Sequence, residues 1–245
     1  MSTDDSTASA GLRPVDIAPA HSVVVRYLRR AIHLYEFPAG SRLPSERDLA
    51  TRLGVSRATL REALRNLEGA GYVEVRRGAA GGNFVLDRTG SLDEVRRWFT
   101  DQGIDLEAIF DFRATVESLA ARRAATRADP ALITTLRDLN DRMSRTTDTG
   151  EFRQCDQRFH MHIAEAARAE LVRDAVEEAR AALFHPYRLP TLRALQDRCV
   201  PEHEAIIDAL ANHKDTDAAT LMNQHIRATA DAADIFVRPD ARDST

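Results

Sequence analysis

The chain has 245 residues, 43% of them hydrophobic and 29% charged, with a formal net charge of −4. That mixture suits two modest globular domains or one large one. No apolar run approaches the roughly 20 residues of a membrane-spanning helix, the first residues lack the basic-then-apolar order of a secretion signal, and two cysteines, Cys155 and Cys199, are too few for a disulfide scaffold. The expected location is therefore cytoplasmic, with no membrane partner and both thiols reduced. The charge is unevenly spread. Residues 20–88 carry 12 arginines against seven acids, whereas residues 89–245 carry 21 Lys/Arg against 28 acids. A basic front and an acidic remainder argue for two modules with different partners.

Residues 1–18 read as a disordered tail. A first domain, 19–88, opens with Val24, Tyr27, Leu28, Ala31 and Tyr35 at helical spacing. Pro38-Ala39-Gly40 ends that helix in a turn. Ser45, with Asp48 three residues on, has the form of an N-cap, and the short helix it starts stops at Gly54. Ser56 is a second N-cap, for a helix running from Arg57 to about Gly69 with Leu60, Ala63, Leu64 and Leu67 facing inward. Tyr72 to Arg76 alternates like a strand, Gly78 to Gly82 is a turn, and Asn83 to Leu86 is the return strand. Helix, short helix, tight turn, helix, hairpin is the order of a winged helix-turn-helix.

A second domain, 91–237, has helical pattern nearly throughout, with breaks near Gly103, Asp129-Pro130, Gly150, Pro186 to Pro190 and Asn212 to Thr216. Six or seven helices and no strand of useful length are expected, followed by a tail at 238–245. The fold class is mainly α: an N-terminal winged helix-turn-helix with a β-hairpin wing, then an all-α bundle.

Three inner stripes of that bundle contain polar residues. Phe152, Asp156, Phe159, His160, Ile163 and Ala167 form one, and the i, i+4 pair Asp156 and His160 shares its face. Leu192, Leu195, Cys199, His203, Ile206 and Leu210 form another, and Ala218, Leu221, His225, Ala228 and Ala232 the third. Burying such groups without partners costs several kcal/mol. Three imidazoles and a carboxylate on facing helices would satisfy one another around a divalent metal ion. Zinc is the first choice, and nickel and manganese fit the same donors.

The stretch LPSERDLATRLGVSRATLREALRNLEGAGYVEVRRGAAGGNFV resembles the DNA-binding signature of the GntR transcriptional regulators, and the helical domain resembles the effector-binding domain of their FadR (FCD) subfamily. The resemblance implies a homodimer, most often a repressor, that binds a pseudo-palindromic double-stranded operator and answers to a small molecule. It places Arg47, Ser56, Arg57, Thr59 and Arg61 at the DNA, with the hairpin tip, Arg77 and Gly78, in the adjacent minor groove. Arg57 is the expected base reader, because arginine pairs with O6 and N7 of guanine from the leading end of a recognition helix. Arg65, two turns on, is expected to be surface. The Asp-x3-His pair with two later histidines resembles the metal-binding branch of the FCD domains. Open metal positions suit a small organic acid as effector. Arg113 resembles the arginine that family members carry in the effector pocket, where a guanidinium can clamp a carboxylate; a salt bridge to Glu117 is the alternative. The chain departs from the family where it reads Ala166-Ala167-Arg168-Ala169 in place of a small residue and Asn. A polar centre disfavours a fatty acyl effector. Two other readings use the same residues: a regulator that senses the metal itself, and a metal-dependent hydrolase or lyase fused to a DNA-binding domain.

Overall fold

Capping residues set the first elements. In a computed structural model, which describes residues 19–78, 81–89, 92–101, 103–183, 187–188 and 192–237, the chain opens with α1 (Ala20–His33). The tails expected at 1–18 and 238–245 lie outside the described residues. Ser45 caps α2 (Glu46–Leu53) by accepting from Asp48 N at 3.2 Å. Gly54 ends it in the left-handed region at φ 65°, where a side chain would be strained. Ser56 caps α3 (Arg57–Gly69) by accepting from Thr59 N at 3.1 Å, so the two helices meet across a three-residue turn. The hairpin β1 (Val73–Arg76) and β2 (Gly82–Val85) is antiparallel, with Val73 opposite Val85 and Arg76 opposite Gly82. Leu28, Ile32, Leu60, Leu67, Tyr72 and Val85 belong to one buried apolar cluster, so α1, α3 and the wing share a core.

Beyond the wing, β3 (Arg88–Thr89) leads into α4 (Leu92–Asp101). The sequence assigns this helix to the second domain; it contacts the last helix of the bundle, and its Trp98 also packs on the N-terminal cluster, edge-on to Tyr72 at 5.4 Å. The bundle follows: α5 (Leu106–Ala125), α6 (Pro130–Arg145), α7 (Thr149–Ala166), α8 (Glu170–Ala181), α9 (Leu192–Ala211) and α10 (Asp215–Val237). Asp105, Asp129 and Asp148 cap α5, α6 and α7 through their side chains. Among the described residues seven helices follow the wing, the upper of the two expected counts. The additional boundary falls at Arg168, which turns the chain between α7 and α8 at φ 47° without a glycine or proline. Two short strands were not expected: β3 and β4 (Tyr187–Arg188), which pair in parallel. Two bridged residues are too few to leave a periodic pattern in sequence.

The second core joins Phe110 of α5, Leu136 and Met143 of α6, Phe159 and Ile163 of α7, Ile206 and Leu210 of α9, and Met222 and Ile226 of α10. Polar side chains that enter this core are walled by apolar ones and must find their partners among themselves. Among the described residues no helix is long and apolar enough to cross a membrane.

Candidate metal centre and nucleic-acid interface

At the recognition helix the capping hydroxyl of Ser56 lies 2.8 Å from that of Thr59, so the two share a hydrogen bond at the exposed leading end of α3. Arg57 follows and is exposed; among the described residues no ion pair holds its guanidinium. Arg61, one turn on, is held: its Nε donates to Glu46 Oε2 at 2.7 Å. That bond draws the first turn of α2, with exposed Arg47, beside the row on α3. At the wing Arg76 pairs with Glu74 and lies over the Phe84 ring at 4.2 Å, whereas Arg77 is exposed. Gly78 has φ 103°, and its carbonyl accepts from Gly81 N at 2.9 Å. A Cβ on Gly81 would stand 2.4 Å from Arg76 O, so the tip closes only with glycine there.

In the bundle, α7 supplies Asp156 and His160, α9 supplies His203, and α10 supplies His225. One donor atom from each lies within 4.8 Å of all the others. His203 Nε2 and His225 Nε2 are 3.3 Å apart. Asp156 Oδ1 is 3.7 Å from His203 Nε2 and 3.8 Å from His160 Nε2. Four ligands about 2.05 Å from a tetrahedral zinc stand roughly 3.3 Å from one another, so these separations fit a first-row divalent ion. His160, His203 and His225 are buried, and neither His160 Nε2 nor His203 Nδ1 has a hydrogen-bond partner. Asp156 is about a quarter exposed, at 24%, which opens the group to solvent on one side.

Carboxylates stand behind two of the rings. His225 Nδ1 lies 2.6 Å from Glu202 Oε2, and His160 Nδ1 lies 2.6 Å from Glu117 Oε2. The latter approach is off the N–H axis and falls short of hydrogen-bond geometry, but at that distance the electrostatic contact is strong. Such partners leave Nε2 as the free nitrogen and orient the ring. His203 is held instead by stacking on Phe159, at 4.0 Å and 7° between planes.

Charge surrounds the centre. Arg113 Nε donates to Glu117 Oε1 at 2.7 Å, so the salt bridge named as the alternative for Arg113 is formed. Arg180 donates to Asp156 Oδ2 at 2.5 Å and to Gln157 Oε1 at 2.7 Å, and reaches Glu117 Oε2 at 3.4 Å. Burial lowers the His160 pKa to about 4, helped by Arg180 and opposed by Glu117. Burial and the neighbouring His225 push His203 well below its ordinary value. Burial would raise Asp156, but Arg180 and the imidazoles outweigh it and hold the carboxyl below its usual range. Two imidazoles kept neutral beside an ionised carboxylate are in the state a metal requires. A neighbouring trio, Cys199, Glu202 and His225, also converges. Burial pushes the Cys199 thiol up to about 12, so it offers a protonated sulfur and a poorer site.

Sequence reasoning missed Arg180, Glu202 and Gln157. Arg180 had a signal: it continues the inward row of Val172, Val176 and Ala179 once α8 is read as its own helix. Glu202 and Gln157 each follow or precede a residue of an inner stripe and had none.

Comparison with known proteins agrees with this anatomy. Residues 21–81 match the bacterial regulatory proteins of the gntR family, and residues 108–228 match the FCD domain. Over 219 residues the chain is 32% identical to RmpR of Mycobacterium gastri, named as an HTH-type transcriptional regulator, covering 86% of this chain and 79% of that one. The chain belongs to the GntR family. This GntR regulator is also 32% identical over 194 residues to the L-lactate dehydrogenase operon regulatory protein of Escherichia coli (strain K12), covering 75% of this chain and 74% of that one. It is 26% identical over 223 residues to the Glc operon transcriptional activator of the same strain, covering 85% and 87%. It is thus a DNA-binding transcriptional regulator with an FCD domain. Its relatives are regulators, not enzymes, which sets aside the hydrolase or lyase reading.

Proposed function

We propose that this GntR-family regulator binds a pseudo-palindromic operator as a homodimer in the cytoplasm, and that a divalent metal in the bundle anchors a small carboxylate effector. Arg57 reads bases, Ser56 and Thr59 present hydroxyls at the leading end of the helix, and Arg47, Arg61, Arg77 and Gly78 meet the backbone or the minor groove. Asp156, His160, His203 and His225 hold the metal. The observation that carries the reading is the convergence of their donor atoms from three helices, His160 Nε2 among them without a hydrogen-bond partner. A five- or six-coordinate ion on these four donors would supply positive charge and positions for a carboxylate oxygen.

Charge balance supports an anionic ligand. Among the buried groups, Arg113 and Arg180 offset Glu117 and Asp156. A divalent cation leaves the interior positive, only part of which Glu202 at the rim offsets, and an uncompensated buried charge is costly. A carboxylate corrects the imbalance. Arg113 is engaged through Nε, so its terminal nitrogens are the ones that would meet the acid. Two relatives are named for operons, one of them that of an L-lactate dehydrogenase, which makes short hydroxy acids the first panel to try.

Metal analysis of the purified protein, then calorimetry with small carboxylic acids with and without chelator, tests this. Acid binding that survives both chelation and Arg113→Ala would sink the pocket. Operator affinity that follows zinc and does not change further when an acid is added would favour metal sensing. Repression is the mode the resemblance implies, whereas the Glc relative is named an activator. A reporter behind the operator separates them: without acid, deleting the regulator should raise expression, and a fall would show an activator.

A further inference from the structure

The bundle grips the C-terminal end of α1 at three points. Arg30 Nε donates to Glu177 Oε1 at 2.5 Å. His33 is hydrogen-bonded to the backbone of Ala181. Gln154 Nε2 donates to Tyr35 O at 3.0 Å. Glu177 and Ala181 lie on α8 and Gln154 on α7. One side chain, Arg180, clasps those same two helices through Asp156 and Gln157. Arg180 lies one turn after Glu177 and next to Ala181, and Asp156 lies two residues after Gln154. The head therefore stands on the turns that the clasp joins.

Asp156 faces two ways. Oδ1 points toward the Nε2 atoms of His160 and His203, while Oδ2 binds Arg180. We propose that the Arg180–Asp156 clasp is the element through which occupancy of the metal centre reaches the DNA-binding head, an inference that rests on reading Asp156 and the three histidines as that centre. A cation at Oδ1 draws on the carboxylate's charge and repels the guanidinium, and both effects are strong where water is scarce. The Oδ2 bond weakens, α7 and α8 ease apart at this turn, and the end of α1 loses its footing. Arg180 is a positioning residue here. Coupling arises because the clasped and unclasped arrangements differ in contacts that both the pocket and the head can feel.

The test is backbone hydrogen exchange on the full-length protein, with zinc alone as the probe and zinc stoichiometry measured on the same samples. In the wild type, zinc should raise exchange of the amides of residues 28–36 by about threefold or more, with α6 unchanged. The double variant Gln154→Leu/Glu177→Gln removes two of the three points that grip α1, leaves the His33 contact, and leaves every ligand in place. It should take up zinc as the wild type does, exchange faster at α1 from the start, and show a smaller further rise with zinc. Protein that takes up one zinc without a rise at residues 28–36 overturns this inference alone. So does a double variant that keeps the full zinc response. Protein that takes up no zinc overturns the metal reading, and this inference with it.

Discussion

Glu117 stands between the two buried guanidiniums, Arg113 and Arg180, and the His160 ring. At 1% exposure, it accepts from Arg113, touches His160 Nδ1 and reaches Arg180. The positive neighbours outweigh burial and keep its carboxyl well below the ordinary range, so it is ionised at any working pH. Glu117→Gln keeps the shape and deletes the charge. Two buried guanidiniums are then left to share Asp156, and breaking a buried pair in this way costs about 3–5 kcal/mol. For a chain of this size each kcal/mol is worth about 2–4 °C, so the melting temperature should fall by roughly 6–20 °C. Because His160 also loses the negative charge beside its Nδ1, zinc affinity should fall about 10- to 100-fold. Thermal unfolding monitored by circular dichroism and a competition titration against a zinc-binding dye measure the two effects separately. A variant that melts within about 2 °C of the wild type would refute the charge argument, and unchanged zinc affinity would refute the orienting role of Glu117.

Arg57→Ala should cost about 1–3 kcal/mol of operator binding and relax base preference, read by competition against random DNA. Glu46→Ala should free Arg61 from its ion pair and steepen the salt dependence of DNA binding by about one unit of slope; an unchanged slope would show that Glu46 does not hold Arg61 back. Arg168 sits in the left-handed region at φ 47° with an exposed side chain, so Arg168→Asn should gain about 0.5–1 kcal/mol, and a loss in urea unfolding would show that the side chain makes a needed contact. His33 is lowered to about 3, chiefly by burial and then by Arg29, against the pull of its Ala181 bond. The unfolded chain, with its ordinary histidine value of 6.5, therefore binds more protons than the folded one between about pH 3 and 6.5, and stability contributed by neutral His33 is present above that window and lost as pH falls through it. His33→Phe should flatten the difference in stability between pH 7 and pH 5 by about 1–2 kcal/mol, and an equal slope in both proteins would contradict the assignment.

Local rules made much of this molecule readable from sequence. Ser45, Gly54 and Ser56 start and stop helices through their own backbone and side-chain chemistry, so the helix-turn-helix needed no knowledge of its surroundings. The four candidate ligands stood out because each breaks an apolar stripe. Arg180 did not, because the chain bends at Arg168, a residue with no preference for the left-handed conformation that the bend requires, and α7 and α8 ran together as one pattern. Glu117 was legible only as a neighbour of Arg113. That it also stands behind His160, from another helix, depends on how α5 and α7 pack. Trp98 is of the same kind: its helix follows the wing in sequence, and only packing shows that it closes the first core.

The short β3–β4 ladder has a mechanical consequence. The head is fastened to the bundle at the end of α1 and again where the chain leaves the head, through β3 on β4. A body on one tether can turn about three axes. A body pinned at two points keeps one, the line between the pins. Any displacement of the recognition helix relative to the bundle is then a swing through a single angle, and a small easing at one pin is turned by the length of the head into a larger travel at Arg57.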